Sequence, residues 1–364
     1  VFISGSNLRS HFEKELLMST SMSVSLPPIV TPGASAAQAS YPAPQARTIL
    51  ATIARKEIVD ALRNRLFLLA LVMLVALSLV AVGLGATTVH TRLTEYQQSV
   101  DLLKSLGKTQ IPPMPTLNPL AVSKTFINYL AMLGALMGMI LGFTTIHKER
   151  QAGSLPLILS RPVYRDQLLT GKVLGNAGLM LSLTLAVGAV TIVALAVIGG
   201  VGLGGDEVMK VALTMGMSWL YMLTFFLLAM FFSLWMPNSN QALLLTVIVW
   251  LVFAFIFPQI GDTMDLDNQL PGGFFASMGM NKAQATTALQ KFHLYEVIRD
   301  GVEELSPTKH YERISFALLG VKTEFANNTW LEVLQLKIVN LIGLLVPIVL
   351  LLSASYIVYL RKET

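Results

Sequence analysis

Six long apolar stretches divide this chain, near residues 66–88, 125–146, 173–200, 208–232, 241–260 and 335–360. Each approaches or exceeds about 20 residues, enough to cross a hydrocarbon core of about 30 Å as a helix. In such a core every backbone N–H and C=O must be satisfied inside the protein, so a run of this kind folds as an α-helix. Charge content agrees: 13% of the 364 residues are Asp, Glu, Lys or Arg, half of the roughly 25% usual in soluble domains. The expected fold is an all-α integral membrane protein with six transmembrane helices. A formal net charge of +5 fits loops beside anionic lipid rather than nucleic-acid binding. The chain has no cysteine, which excludes disulfides, thiolate metal sites and cysteine nucleophiles.

Basic residues set the orientation. Arg47, Arg55, Lys56, Arg63 and Arg65 precede the first span, Lys148, Arg150, Arg161, Arg165 and Lys172 lie between the second and third, and Arg361-Lys362 closes the sixth. An even span count puts all three groups on one side, and their charge makes that side the cytoplasm. The expectation is a multi-pass protein of the plasma (inner) membrane with both termini cytoplasmic. Loops 89–124 and 261–334 then face outward; the second holds six basic residues against ten acidic ones, so it does not contradict this topology.

Residues 1–46 read as a flexible tail, because 20–46 carry no charge and are rich in Ser, Ala and Pro, a composition that cannot bury a core. No apolar region with a basic flank precedes a cleavage site, so a secretory signal is not expected. The chain opens on Val1, which puts the expected start at an alternative codon, at Met18 or at Met22. Residues 47–65 form an amphipathic elbow helix. Lys56, Asp60 and Arg63 follow an i, i+4, i+7 spacing, with Ala51, Ala54, Ile58, Ala61 and Leu62 broadly opposite. Arg55 interrupts a clean stripe, and Arg55 and Glu57 are counted with Lys56, Asp60 and Arg63 among the elbow's residues. Such a helix is expected to lie flat on the inner leaflet.

The spans are informative for what they lack. Only Lys210 and Lys337 are charged within these boundaries, both near span ends where a long side chain reaches the interface. A proton- or ion-coupled carrier places ionisable groups at mid-depth. The chain contains neither the HExxH metal motif nor a G-x-S-x-G nucleophile elbow. Gly107-Lys108-Thr109 ends like a phosphate-binding loop, but Leu102 stands where its first glycine belongs. No catalytic residue and no metal site are expected, and the energy source lies outside the chain. Asn128, Asn176 and Asn340 read as links between helices. Met278, Met280, His293 and His310 would suit Cu(I) by ligand type, yet with 17 methionines in the chain gap filling is the stronger reading.

The polar segment 147–172 carries the functional signal. Ser154 can cap a short helix beginning at Leu155, where Pro156 is tolerated because first-turn N–H groups have no intrahelical acceptor. Leu155, Leu157, Ile158 and Leu159 would offer an apolar knob, and Arg161-Pro162 ends the helix. Glu149 is placed to take a salt bridge from a partner or from Arg165.

This segment, with Glu149-Arg150, Gly153-Ser154-Leu155, Leu159-Ser160, Pro162-Val163, Arg165 and then Leu168-Leu169 and Gly171-Lys172, resembles the cytoplasmic loop of ABC-2 type ABC transporter permeases. Arg55-Lys56-Glu57-Ile58 with Asn64-Arg65 is similar to the elbow helix of that family. The resemblance covers about 47–260 and the last span, and is nearest to permeases linked to the maturation of multicopper enzymes such as nitrous oxide reductase. Pro156 departs from the acidic or polar residue common there.

The resemblance implies a permease subunit of an ATP-driven exporter, not itself an enzyme and binding no cofactor, with ATP and Mg held on a separate ABC nucleotide-binding subunit. That subunit would dock on Glu149, Arg150, Gly153, Ser154, Leu155, Leu159, Ser160, Pro162 and Arg165. A second permease copy or paralogue would complete the pathway within the lipid bilayer. The implied divisions are transmembrane spans 1–5 over 66–260, an extracytoplasmic loop domain over 261–334, able to receive a partner protein, and the last span with its short tail over 335–364. Within that loop Phe292 to Leu305 has helical periodicity. The alternative is an assembly scaffold that transmits force through its outer loops without moving a substrate; a self-powered carrier is a third reading, disfavoured by the uncharged spans.

Overall fold

The computed structural model describes residues 46–107, 120, 124–151, 164–198, 203–264, 274–280, 284, 287, 293–321 and 323–361. Among these the secondary structure is entirely helical. Five helices are long and apolar enough to cross a membrane, Thr125–Gln151, Arg165–Val197, Gly205–Trp235, Ser239–Met264 and Ile338–Arg361, and a bent pair at the beginning makes six.

That pair is α1 (Ala46–Leu62) and α2 (Arg65–Ser105). They meet at 72° because the chain breaks at Arg63-Asn64, where the Asn64 side chain accepts from the backbone N–H groups of Leu66 at 3.0 Å and Phe67 at 3.5 Å. An Asn at this position satisfies two of the orphan donors of a helix start and so restarts the helix in a new direction. α2 then runs for 41 residues, so the segment after 88, read as loop from its polarity, continues as helix to Ser105. The Pro-rich stretch beyond it lies outside the described residues.

α3 (Lys124–Gln151), α4 (Arg165–Ile198) and α5 (Gly205–Trp235) form the centre. α5 packs against α3, α4 and the last long helix, and most of its side chains are buried. Glycines let α3 approach it. A Cβ at Gly138 would lie 2.5 Å from the Met222 carbonyl oxygen, and one at Gly142 would collide with that of Phe226. Without a side chain at these places the two backbones pack in direct contact, the small-residue device of membrane helices.

The fifth span comprises α6 (Ser239–Leu251), a π-helical turn (Val252–Ile256) and α7 (Phe257–Met264). Pro258 lies within this span and explains the π turn. The Phe257 N–H bonds Val252, so the carbonyl of Phe253 would next look to residue 258, which has no N–H. The Ser306 hydroxyl supplies the missing donor. Past the short α8 (Phe274–Ser277) come α9 (His293–Glu304) and α10 (Pro307–Leu318); α9 agrees with the helix expected from periodicity. α10 has Ser306 as N-cap and Pro307 at its first position. It closes with Gly320 at φ 60°, whose neighbours Ala317 and Phe316 accept from Gly320 and Val321, a left-handed cap that glycine adopts without strain. α11 (Trp330–Leu336) is capped reciprocally by Thr329 and Glu332, and α12 (Ile338–Arg361) is the last span.

Candidate functional site

The segment expected to reach a partner is framed by two helices. α3 extends through Gln151 and α4 begins at Arg165, so the polar connection is shorter than 147–172. Glu149 and Arg150 lie in the last turn of α3, and Arg165 opens α4. Gly153, Ser154, Leu155, Leu159, Ser160 and Pro162 lie outside the described residues, as does the short helix expected from Leu155.

At the base of this connection the structure assembles a buried charged cluster from three helices. The Lys172 ammonium, about 10 Å along α4 from Arg165, lies 2.8 Å from the Glu57 carboxylate of α1 and 2.7 Å from the Glu149 carboxylate of α3. It also donates to the Thr145 carbonyl at 3.2 Å. One turn on, the Asn176 amide donates to Glu57 at 3.4 Å and to the Thr145 hydroxyl at 3.2 Å. All five side chains are buried. Lys56, half-exposed, stands 3.8 Å from Glu149, so two cations face two carboxylates and the group is neutral as a whole.

Such a cluster is stable only if complete. Removing charges from water costs several kcal/mol per ion, and mutual attraction with full hydrogen bonding offsets it. Its geometry depends on close helix contact. A Cβ at Gly171 would lie 2.8 Å from Ile53, and one at Gly175 would lie 2.7 Å from the Ala54 Cα, so Gly171 and Gly175, four apart on one face of α4, seat α1 directly on it. Ile53, Ala54, Glu57 and Ala61 thus form the packed stripe of α1. Lys56 and Arg63 are exposed as expected, with Arg55 beside them and Asp60 partly covered. Leu62, assigned to the apolar face, is exposed at 44%, because the chain turns away at Arg63-Asn64 before that face can be covered.

Glu149 therefore finds its cations in Lys172 and Lys56. Arg150 turns the other way and donates to the carbonyls of Met236 at 2.7 Å and Leu234 at 3.2 Å, which cap the end of α5. Lys172 and Asn176 were missed as site residues because the third apolar run was taken to begin at 173, which left Lys172 in a loop. The spacing Gly171-Lys172-x-x-Gly175-Asn176 was the available signal: two small residues and two polar ones, each pair four apart.

A second polar cluster surrounds α10. Tyr311 stacks on Tyr221 with ring centroids 4.7 Å apart and shares a hydrogen bond of 2.9 Å with Ser218; Thr308 and Tyr221 share one of 3.2 Å. The His310 ring bonds the Glu304 carbonyl through Nε2 at 2.8 Å and the Asn340 amide through Nδ1 at 3.1 Å. With Nε2–H donating to the carbonyl, Nδ1 accepts from the amide, so the neutral ring satisfies both partners. Burial holds the imidazole below its ordinary value and pushes the Tyr311 phenol up. Asn176 and Asn340 are the inter-helix links expected of them, whereas Asn128 is exposed. Met278 and His293 are exposed, and His310 has both nitrogens engaged.

Comparison with known proteins now places the chain. A model of the ABC-2 family transporter proteins matches residues 51–364. The chain is 36% identical over 138 residues to the "Probable ABC transporter permease protein NosY" of Pseudomonas aeruginosa, covering 38% of this chain and 42% of that protein. A protein of the same name from Stutzerimonas stutzeri is 36% identical over 137 residues, covering 37% and 41%. The aligned part spans about two fifths of the length of these relatives. The family match takes in α1's packed stripe, the Lys172 cluster, α10 and the spans among the described residues, and the chain belongs to the ABC-2 family of transporter proteins.

Proposed function

We propose that the chain is the permease of an ATP-driven exporter in the plasma membrane, and that the connection between α3 and α4 receives a separate nucleotide-binding subunit on the cytoplasmic side. The Lys172 cluster is the observation that supports this reading. Glu149, in the last turn before the connection, and Lys172, about two turns into α4 after it, are bonded to each other, and Lys172 also holds Glu57 of α1. A push on residues 152–163 therefore moves α1, α3 and α4 together rather than flexing one loop. ATP and Mg reside on the partner, and this chain performs no covalent chemistry. Two copies, or this chain and a paralogue, form the pathway, with both termini cytoplasmic. A ligand-driven switch of this kind requires that the partner's ATP-bound form contact the two arrangements of the permease differently.

A second reading, force transmission through the far end without transport, is favoured by one feature: α10 is bonded to α5 and α12 as well as to the π turn of the fifth span, so rearrangement of the bundle reaches it. Purification of the tagged protein in mild detergent, with ATPase assay and mass spectrometry of co-purifying proteins, tests the common premise. The expected result is an ABC ATPase that accompanies the wild type and is lost from the Leu155→Asp, Leu159→Asp double variant while that variant stays inserted. Purification without an ATPase, indifferent to the substitutions, would leave a carrier.

A further inference from the structure

α9 is amphipathic the wrong way round for a helix exposed to water. Leu294, Val297, Ile298 and Leu305 recur at helical spacing and are 73%, 52%, 51% and 64% exposed. On the polar side Glu303 faces the protein, while Asp300 and Glu304 are open to solvent. Glu303 is buried against Gly261 of α7, where a Cβ would strike its side chain, and it pairs with Arg313 and with Lys309 at 3.7 Å. Lys309 in turn holds Asp262 at 2.9 Å. These pairs fix the helix with its apolar stripe turned outward.

The fifth span measures the depth at which this happens. It starts at the Asn238 cap, beside the carbonyls that Arg150 holds. At 1.5 Å per residue Gly261 lies about 33 Å further along, just past a hydrocarbon core of about 30 Å. Glu303, Asp262 and Lys309 are thus at headgroup level, at the membrane surface opposite the Lys172 cluster. Ile260, beside Gly261, is itself 40% exposed, so apolar side chains of the span and of α9 face outward at the same depth.

From this placement we infer that α9 is an interfacial anchor, its Leu294–Ile298–Leu305 stripe buried in the lipid surface at that end of the bundle. Charge identifies the lipid. His293–Glu304 carries Glu296, Asp300, Glu303 and Glu304 against Arg299, so anionic headgroups repel it and the apolar stripe alone supplies the affinity. The surface it fits is zwitterionic, and raising the anionic lipid fraction weakens the contact.

The absence of native cysteine makes the test direct. Full-length Leu294→Cys, Ile298→Cys and Asp300→Cys proteins, each bearing one fluorophore, are reconstituted in phosphatidylcholine vesicles. Headgroup-proximal doxyl lipid is expected to quench the labels at 294 and 298 several-fold more than the label at 300, with aqueous iodide giving the reverse order. Val349→Cys, on the exposed face of α12, must be quenched by deep doxyl lipid, which certifies insertion. Iodide quenching at 294 and 298 equal to that at 300 would overturn the inference. So would labels shielded from both quenchers whose spin-labelled equivalents show short distances between copies, since a second copy would then cover the stripe. Neither result depends on the ATPase partner.

Discussion

The two polar clusters hold their helices by different physics. At the Lys172 end three helices meet through full charges, Glu57 and Glu149 on one ammonium, in a buried site. At the α10 end the links to α5 and α12 are neutral, paired hydroxyls on Ser218, Tyr221, Thr308 and Tyr311 and an imidazole between a carbonyl and an amide, while the cations of α10, Lys309 and Arg313, pair with Asp262 and Glu303 on its other side. A charged cluster is costly to open, because each separated ion is left without water or partner. Neutral hydrogen bonds are worth about 0.5–1.5 kcal/mol each and exchange readily for others. The first cluster therefore suits a joint that must move as a unit, and the second suits contacts that rearrange when the bundle does.

Removing the ammonium is the largest test of that difference. Lys172→Met keeps most of the unbranched side chain without its ammonium and leaves two carboxylates buried with Lys56 beside them, for an expected loss of about 3–5 kcal/mol. Thermal unfolding in nanodiscs, followed by tryptophan fluorescence, measures it. Adding Glu57→Gln and Glu149→Gln should restore most of the loss, since no buried charge is then stranded and the remaining cation, Lys56, is half-exposed to water. If the triple variant is as unstable as the single one, packing rather than charge holds the joint.

What the sequence made legible follows the same division. Helix class, span number and the helix at 293–304 were readable because apolar runs and 3.6-residue periodicity are local signals. The helix before the first span was readable too, but only by its exposed residues, Lys56 and Arg63. Glu57 was recorded without its burial, since a carboxylate in a basic helix gives no sign that it meets an ammonium 115 positions later in the chain. Pro258 carries only the local signal of a helix end. Its accommodation depends on Ser306, 53 residues from the Phe253 carbonyl that it bonds, which no local rule supplies. The α10 contacts were hidden for the same reason: polar residues in a segment between spans look like loop until a tertiary fold buries them.

Glycine substitutions sharpen the comparison at intermediate size. At the joint, Gly175→Ala puts a Cβ 2.7 Å from the Cα and 2.8 Å from the carbonyl oxygen of Ala54, backbone atoms that cannot step aside. At the other end Gly343→Ala strikes the His310 ring, a side chain. Each should cost about 1–3 kcal/mol by overpacking, read from the same unfolding curves. The decisive contrast is rescue. His310→Ala should recover part of the loss from Gly343→Ala, whereas Ala54→Gly leaves both offending atoms in place and should recover none from Gly175→Ala. Equal rescue at the two ends would erase the distinction between a rigid joint and an adjustable cap.

The smallest effect expected is proton-linked and confined to the α10 end, because a single group carries it. Burial holds the folded His310 below the ordinary imidazole value of 6.5; the positive Arg313 acts in the same direction, while the Glu304 carbonyl and carboxylate oppose it, with Glu303 and Lys309 in the adjoining ion pairs. In the unfolded chain the ring takes a proton as pH falls through about 6.5, while the folded ring stays neutral to lower pH. The unfolded state then binds more protons, so stability falls on acidification, beginning near the ordinary value and levelling off below the folded one. Above that window the contribution is complete. His310→Gln keeps a donor for the Glu304 carbonyl but cannot titrate. The difference in unfolding midpoint between wild type and this variant, measured from neutral to mildly acidic pH, should shrink or reverse as pH falls, since the wild type alone has an imidazole to protonate. A difference independent of pH would mean that the ring is not held neutral in the folded protein.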